Sequence, residues 1–137
     1  MKQLLAAAAI LSCLAVPATA TEWVNCGDGE GKVSFDVLMG LMDVIAIDTV
    51  RIEANGKKWS NKPQAGETKI EIGQAFETAD QMWIDVVDEG MGGFVAKLRL
   101  FKASETVEDS EDGVFDATGG TLQMPGIGAW VVGCSGP

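Results

Sequence analysis

From residue 21 onward the chain alternates apolar and polar side chains in short runs. Val50, Ile52 and Ala54 alternate with Arg51 and Glu53, Ile70 and Ile72 with Lys69 and Glu71, and Phe94, Ala96, Leu98 and Leu100 with Lys97 and Arg99. A period of two sends successive side chains to opposite faces of a strand, so each run has one dry face and one wet face. Similar runs cover Trp23 to Cys26, Lys32 to Leu38, Val44 to Asp48, Gln81 to Val87, Gly113 to Ala117 and Ala129 to Cys134. No 3.6-residue apolar period is sustained, and glycine stands at 17 positions to punctuate turns. The expected fold is all-β, a small antiparallel β-sandwich or closed barrel of about eight or nine strands.

The sharpest local signal is Asn55-Gly56 between two strand-like runs, a preferred dipeptide for a type I′ hairpin turn. Folding back about it sets Ala54 opposite Lys57, Glu53 opposite Lys58 and Ile52 opposite Trp59. The charged pair then shares one face and the apolar pair the other. Leu38, Met39, Leu41 and Met42 are the natural place for a helical turn, although Gly40 interrupts them. At the chain ends, alternation puts Val24 and Cys26 on one face of the first strand, and Trp130, Val132 and Cys134 on one face of the last.

Residues 1–20 read as a cleaved secretory signal peptide. Lys2 gives the positive start, an apolar run from Leu4 to about Val16 follows, and Ala18-Thr19-Ala20 fits the small-x-small cleavage pattern. The run stops at Pro17, short of a membrane span, and no later segment is long enough to cross as a helix. Residues 21–137 are then expected to form a single β domain in a secreted or periplasmic protein. The lesser alternative is lipid anchoring through Cys13, against which the large Leu11 counts, because small residues are preferred before an acylated cysteine. Cleavage removes Cys13 and leaves Cys26 and Cys134, for which only one pairing exists; in an oxidising compartment that pair is expected as a disulfide joining the terminal strands.

The whole chain carries a formal charge of −10, and loss of Lys2 makes the mature part −11. Such a balance repels nucleic acid and anionic lipid, and would suit a basic protein as partner. The chain has no histidine, so the commonest general base and metal ligand are missing. No Ser-x-x-Lys occurs, and a bridged cysteine is no nucleophile. The stretch Gly27-Asp28-Gly29-Glu30-Gly31-Lys32-Val33-Ser34 is glycine-rich, but Cys26 and Val33 stand where a phosphate loop needs glycine and Ser or Thr, so it reads as a turn between strands. Two acid clusters invite a calcium reading: Asp85, Asp88 and Glu89, and Glu105, Glu108, Asp109, Glu111 and Asp112. Neither has EF-hand spacing, and no metal or cofactor is assigned.

Among the four tryptophans, Trp59 and Trp130 fall on core faces, whereas Trp83 alternates with Met82 and Ile84 and lies beside Asp85 on the outer face. Trp83, Asp85, Asp88 and Glu89 are therefore the candidate ligand-binding residues, with no catalytic residue named. An exported small β domain with Cys26 after the first strand and Cys134 ending the last resembles periplasmic inhibitors of c-type lysozyme. Those inhibitors carry a central Ser-Gly-x-x-Tyr-type loop. This chain has no tyrosine, and its Ser-Gly is Ser135-Gly136, so none of their inhibitory residues is carried over. The expected function is that of a non-catalytic binding or accessory module. The alternatives are an inhibitor of a basic secreted enzyme, a self-associating envelope subunit, and a calcium- or carbohydrate-binding domain.

Overall fold

A computed structural model describes residues 21–40, 44–108 and 113–136. The leader, Cys13, Leu41, Met42 and most of the second acid cluster lie outside the described residues. Nine strands follow in chain order: β1 (Thr21–Gly27), β2 (Val33–Gly40), β3 (Ala46–Ala54), β4 (Lys57–Ser60), β5 (Thr68–Glu77), β6 (Gln81–Asp88), β7 (Phe94–Thr106), β8 (Val114–Met124) and β9 (Gly128–Ser135). They close into one barrel in sequence order, β9 pairing back with β1. Of the two architectures the alternation allowed, the barrel is the one formed.

An odd ring of strands cannot alternate direction all the way round, so one neighbouring pair must run the same way. That pair is β4 and β5, held by only two register pairs, Trp59 with Thr68 and Ser60 with Lys69. Beyond the short β4, the edge of β3 is covered by a side chain. Asn61 Oδ1 accepts from Val50 N at 2.7 Å, and Asn61 Nδ2 donates to the Asp48 carbonyl at 3.0 Å. Lys62 pairs with the Asp48 carboxylate at 2.7 Å beside it. Backbone groups that a strand would otherwise satisfy are met here by an amide, which blunts the edge.

The Asn55-Gly56 hairpin has the register its residues dictate: Ala54 opposes Lys57, Glu53 opposes Lys58 and Ile52 opposes Trp59. Asn55 at φ 50° and Gly56 at φ 73° are both left-handed, as a type I′ turn requires. Lys58 and Glu53 meet at 3.3 Å on the wet face, and Ile52 and Trp59 are buried on the other. Val44 and Ile45 precede β3, whereas the rest of the candidate run Val44 to Asp48, from Ala46 onward, and the run Val50 to Ala54 belong to that single strand. Its register with β2 slips at Leu38/Met39, where Thr49 opposes Leu38 and Ile47 opposes Met39, leaving Asp48 as the extra residue. Leu38 and Met39 lie on β2 rather than on a helical turn.

Every strand contributes to the core, including Val24, Phe35, Val37, Val50, Ile52, Trp59, Ile70, Ile84, Leu98, Leu100, Leu122 and Val132. These side chains fill the space along the barrel axis. Trp130 and Cys134 pack against them, half-buried. Gly120 makes the closest approach: a Cβ there would stand 1.9 Å from the Arg99 carbonyl oxygen, so β7 and β8 can lie as they do only with glycine at this point. The barrel closes on Cys26 and Cys134, which are opposed in the β1–β9 register and joined by a disulfide. No helix among the described residues is long and apolar enough to cross a membrane.

Two bulges change which side chains face out. The register of β6 with β7 shifts at Val86/Val87, and that of β5 with β6 shifts around Gly73. Alternation puts Val87 on the outer face, yet it is buried, its methyls lying over Gly73. Phe94 falls in step with the inward Ala96 by alternation, but it is half-exposed, with Lys97 Nζ 3.9 Å from its ring centroid.

Candidate functional site

Trp83 stands on the outside of β6, opposite Phe76 of β5 and Arg99 of β7. Its ring centroid lies 6.0 Å from that of Phe76. The Arg99 guanidinium carbon sits 5.2 Å from the Trp83 ring centroid, and Arg99 Nη2 donates to Asp85 Oδ1 at 2.6 Å. The fold thus brings Trp83 and Asp85 together around Arg99. Asp88 and Glu89 stand apart, at the turn between β6 and β7. Asp88 Oδ1 accepts from Gly92 N at 2.6 Å and Gly93 N at 3.1 Å, closing that turn. Glu89 holds Lys69 at 2.7 Å, and this bond, reinforced by the charge, raises the lysine's pKa. Among the described residues no three His, Cys, Asp or Glu side chains gather as metal ligands would.

On the side away from Asp85, the surroundings of Trp83 are largely apolar and open. Phe76 is 44% exposed, Trp83 40%, Phe101 60% and Val131 79%. Row by row, Phe76, Trp83, Arg99, Thr121 and Val131 cross five strands, and Gln81, Phe101, Gly119 and Gly133 form the row beside them. In an acidic chain, this stretch of β8 and β9 puts no charged side chain on the outside: Gly119, Thr121, Gln123, Ala129, Val131 and Gly133 occupy those positions. Phe101 and Arg99 are part of this surface although sequence reasoning did not single them out. The signal was present, since continuing the alternation of β7 past Leu100 turns Phe101 outward.

A second feature lies over β1–β4. The outward positions Asn25, Asp36 and Arg51 oppose one another across three strands, and Gly27, Ser34, Glu53 and Lys58 form the next row. Residues 61–67, which carry the chain from β4 back to the start of β5, rise beside these rows and bring Gln64 and Glu67 to the edge. Glu67 Oε2 accepts from Gln64 N at 2.9 Å, and Glu67 N donates back to the Gln64 carbonyl at 3.1 Å, fixing that wall. The β1–β2 turn makes the other end. Asp28 Oδ1 accepts from Lys32 N at 2.7 Å and Val33 N at 3.0 Å, and these backbone donors lower its pKa.

Three hollows join into one cleft here. The largest, of about 660 Å³, lies between the β1–β2 turn and the Asn55-Gly56 hairpin. A second of about 220 Å³ shares Ser34 and Glu53 with it, and a third of about 290 Å³ joins through Asp36 and Arg51 and ends at Trp23. The Arg51 guanidinium carbon lies 5.3 Å from the Trp23 ring centroid. Burial on the cleft floor raises the Asp36 pKa, an effect that the charge of Arg51 partly offsets. Asn25, Ser34, Asp36, Arg51 and Glu53 were not legible as a site, because each is an ordinary wet-face position on its own strand and only the barrel assembles them with the turns and the loop around them. Comparison with protein-family models, characterised proteins and solved structures finds no match to this chain.

Proposed function

We propose that this chain is an exported, non-catalytic binding module that works through the outside of its barrel wall. The observation that carries the reading is the uncovered aromatic cluster of Phe76, Trp83 and Phe101 around Arg99. Core side chains occupy the barrel axis, so a partner has the outer wall to meet, and a contiguous apolar patch there is what interaction surfaces commonly present. The signal-like leader and a disulfide that suits an oxidising compartment support export. The strongly acidic balance favours a basic protein as the partner, steered in by charge and anchored by the aromatic cluster.

The test is capture from a periplasmic or culture extract on immobilised residues 21–137 at low salt. A basic protein should be retained and then released as salt screens the attraction. The double variant Trp83→Ala/Phe101→Ala, folded by circular dichroism, should lose it. An empty column, or equal retention by the variant, would sink the reading.

A further inference from the structure

We propose that the cleft over β1–β4 binds an uncharged, hydroxyl-rich ligand, an oligosaccharide by chemical class. The inference rests on the binding-module reading but uses a surface separate from the Trp83 cluster. Four side chains on the cleft floor and rim have hydrogen-bonding capacity left over. Asn25, Ser34 and Asp36 make no side-chain hydrogen bond with any described residue, and Arg51 lies over Trp23 without a hydrogen bond or ion pair to one. Their chemistry is mixed: Arg51 offers five N–H donors, Asp36 is an acceptor, and Asn25 and Ser34 are both. Asn25, Asp36 and Arg51 lie abreast on adjacent strands, a row of about 10 Å at the usual strand spacing.

The charges around them narrow the ligand class. Asp28, Asp36, Glu53 and Glu67 line the cleft together with Lys32, Arg51 and Lys58. An anion would face four carboxylates and a cation three basic groups, so neither gains a clear electrostatic well. An apolar ligand would strip water from polar walls and return nothing. A neutral ligand bearing many hydroxyls meets donors and acceptors alike, because each hydroxyl is both. Trp23, half-buried at one end with its ring beside Arg51, adds an apolar flank for the less polar face of such a ligand.

The experiment is a heteronuclear NMR titration of residues 21–137 with cellohexaose, chitohexaose, maltohexaose and xylohexaose, each up to about 5 mM, a range that reaches weak millimolar affinities. At least one should shift the Trp23 indole, the Asn25 side-chain amide and the backbone signals of Asp36 and Arg51. Arg51→Gln and, independently, Asn25→Ala should each weaken that binding by roughly tenfold, the scale of one lost hydrogen bond to a charged or well-placed group. Trp83→Ala should leave it unchanged. No shifts with any of the four sugars, or shifts confined to the Trp83 cluster, overturn the inference. Tighter binding of polygalacturonate or a chitosan oligomer than of the neutral sugars does so as well. Capture of a protein partner through the Trp83 cluster, with the cleft silent, would discard the oligosaccharide and leave the module reading standing.

Discussion

Removing the Cys26–Cys134 bridge is the most informative single perturbation of this barrel. The bridge joins residues 108 apart in sequence, so it encloses nearly all of the described chain. In the chain-entropy model a loop of that length stabilises the folded form by about 4.8 kcal/mol, through restriction of the unfolded chain. That is a large share of the ~5–15 kcal/mol typical of a domain. The local ladder is a weak substitute, since β1 and β9 pair at only three positions, Asn25 with Ser135, Cys26 with Cys134 and Gly27 with Gly133. Urea unfolding followed by tryptophan fluorescence, comparing the oxidised protein with Cys26→Ala/Cys134→Ala, measures the term directly. With an m-value of about 2 kcal/mol/M, the variant's midpoint should fall by roughly 2 M. Chemical reduction of the unmodified chain should give nearly the same shift. A loss below about 1 kcal/mol would refute the reasoning, because the unfolded chain would then already hold its ends together without the bond.

Three further outcomes follow from other parts of the fold. Gly120→Ala should destabilise by about 3 kcal/mol or more, since the added methyl meets backbone and not a movable side-chain end; a thermal melt within a degree or two of the parent would contradict this. Amides of Thr68 and Lys69, at the two-pair β4–β5 seam, should exchange with solvent through openings far easier than those of Leu98 and Leu100, which are paired on both sides; equal protection across these four would mean the seam is not the weak joint. Asp36 has its pKa raised above 3.8 by burial, so the native chain holds that proton more tightly than the unfolded one. Stability from this group is greatest below pH 3.8 and falls as pH rises through the raised value. Asp36→Asn should therefore be the more stable form at neutral pH, by an amount within the ~0.5 kcal/mol range of surface substitutions, with the advantage gone in acid; a gain that persists unchanged at low pH would exclude the ionisation as its source.

The parts of the fold legible in the sequence are those set by neighbours along the chain. The hairpin at Asn55-Gly56 was readable to the residue because turn dipeptide, alternation and the Glu53–Lys58 pair all act within eight residues. Inward and outward faces of β1, β2 and most of β7 were readable for the same reason. What failed was local in appearance and non-local in cause. Phe94 turned outward because a bulge in the β6–β7 ladder resets the period of β7, and Val87, which opposes Phe94, is buried although it stays on that outer side; a bulge belongs to a pair of strands. Closure into a barrel needed β9 to find β1 across the whole chain, which no local pattern encodes, although the paired cysteines pointed to it. Of the candidate site, Trp83 and Asp85 were placed on the wall as the alternation implied. Asp88 and Glu89 were drawn into closing a turn and pairing with Lys69.

The cleft follows from the strand count. Nine strands oblige one parallel pair, and a parallel pair cannot be joined by a tight turn, because the chain must travel back the length of a strand before pairing again. β4 is only four residues long, about 13 Å, so residues 61–67 suffice for the return. That return segment brings Gln64 and Glu67 to the cleft that also holds Arg51 and Glu53, supplying the wall that turns an ordinary sheet surface into a hollow. The same segment begins with Asn61 and Lys62, which seal the exposed edge of β3. One short loop thus compensates for the parallel pair, satisfies backbone groups at the edge of β3 and shapes the cleft. Lengthening it by inserting glycines between Gln64 and Glu67 should loosen the cleft wall while sparing the edge seal, so the sugar-induced NMR shifts proposed for the cleft should weaken while the elution volume of the variant matches that of the parent; unchanged shifts would mean that this wall does not shape the cleft.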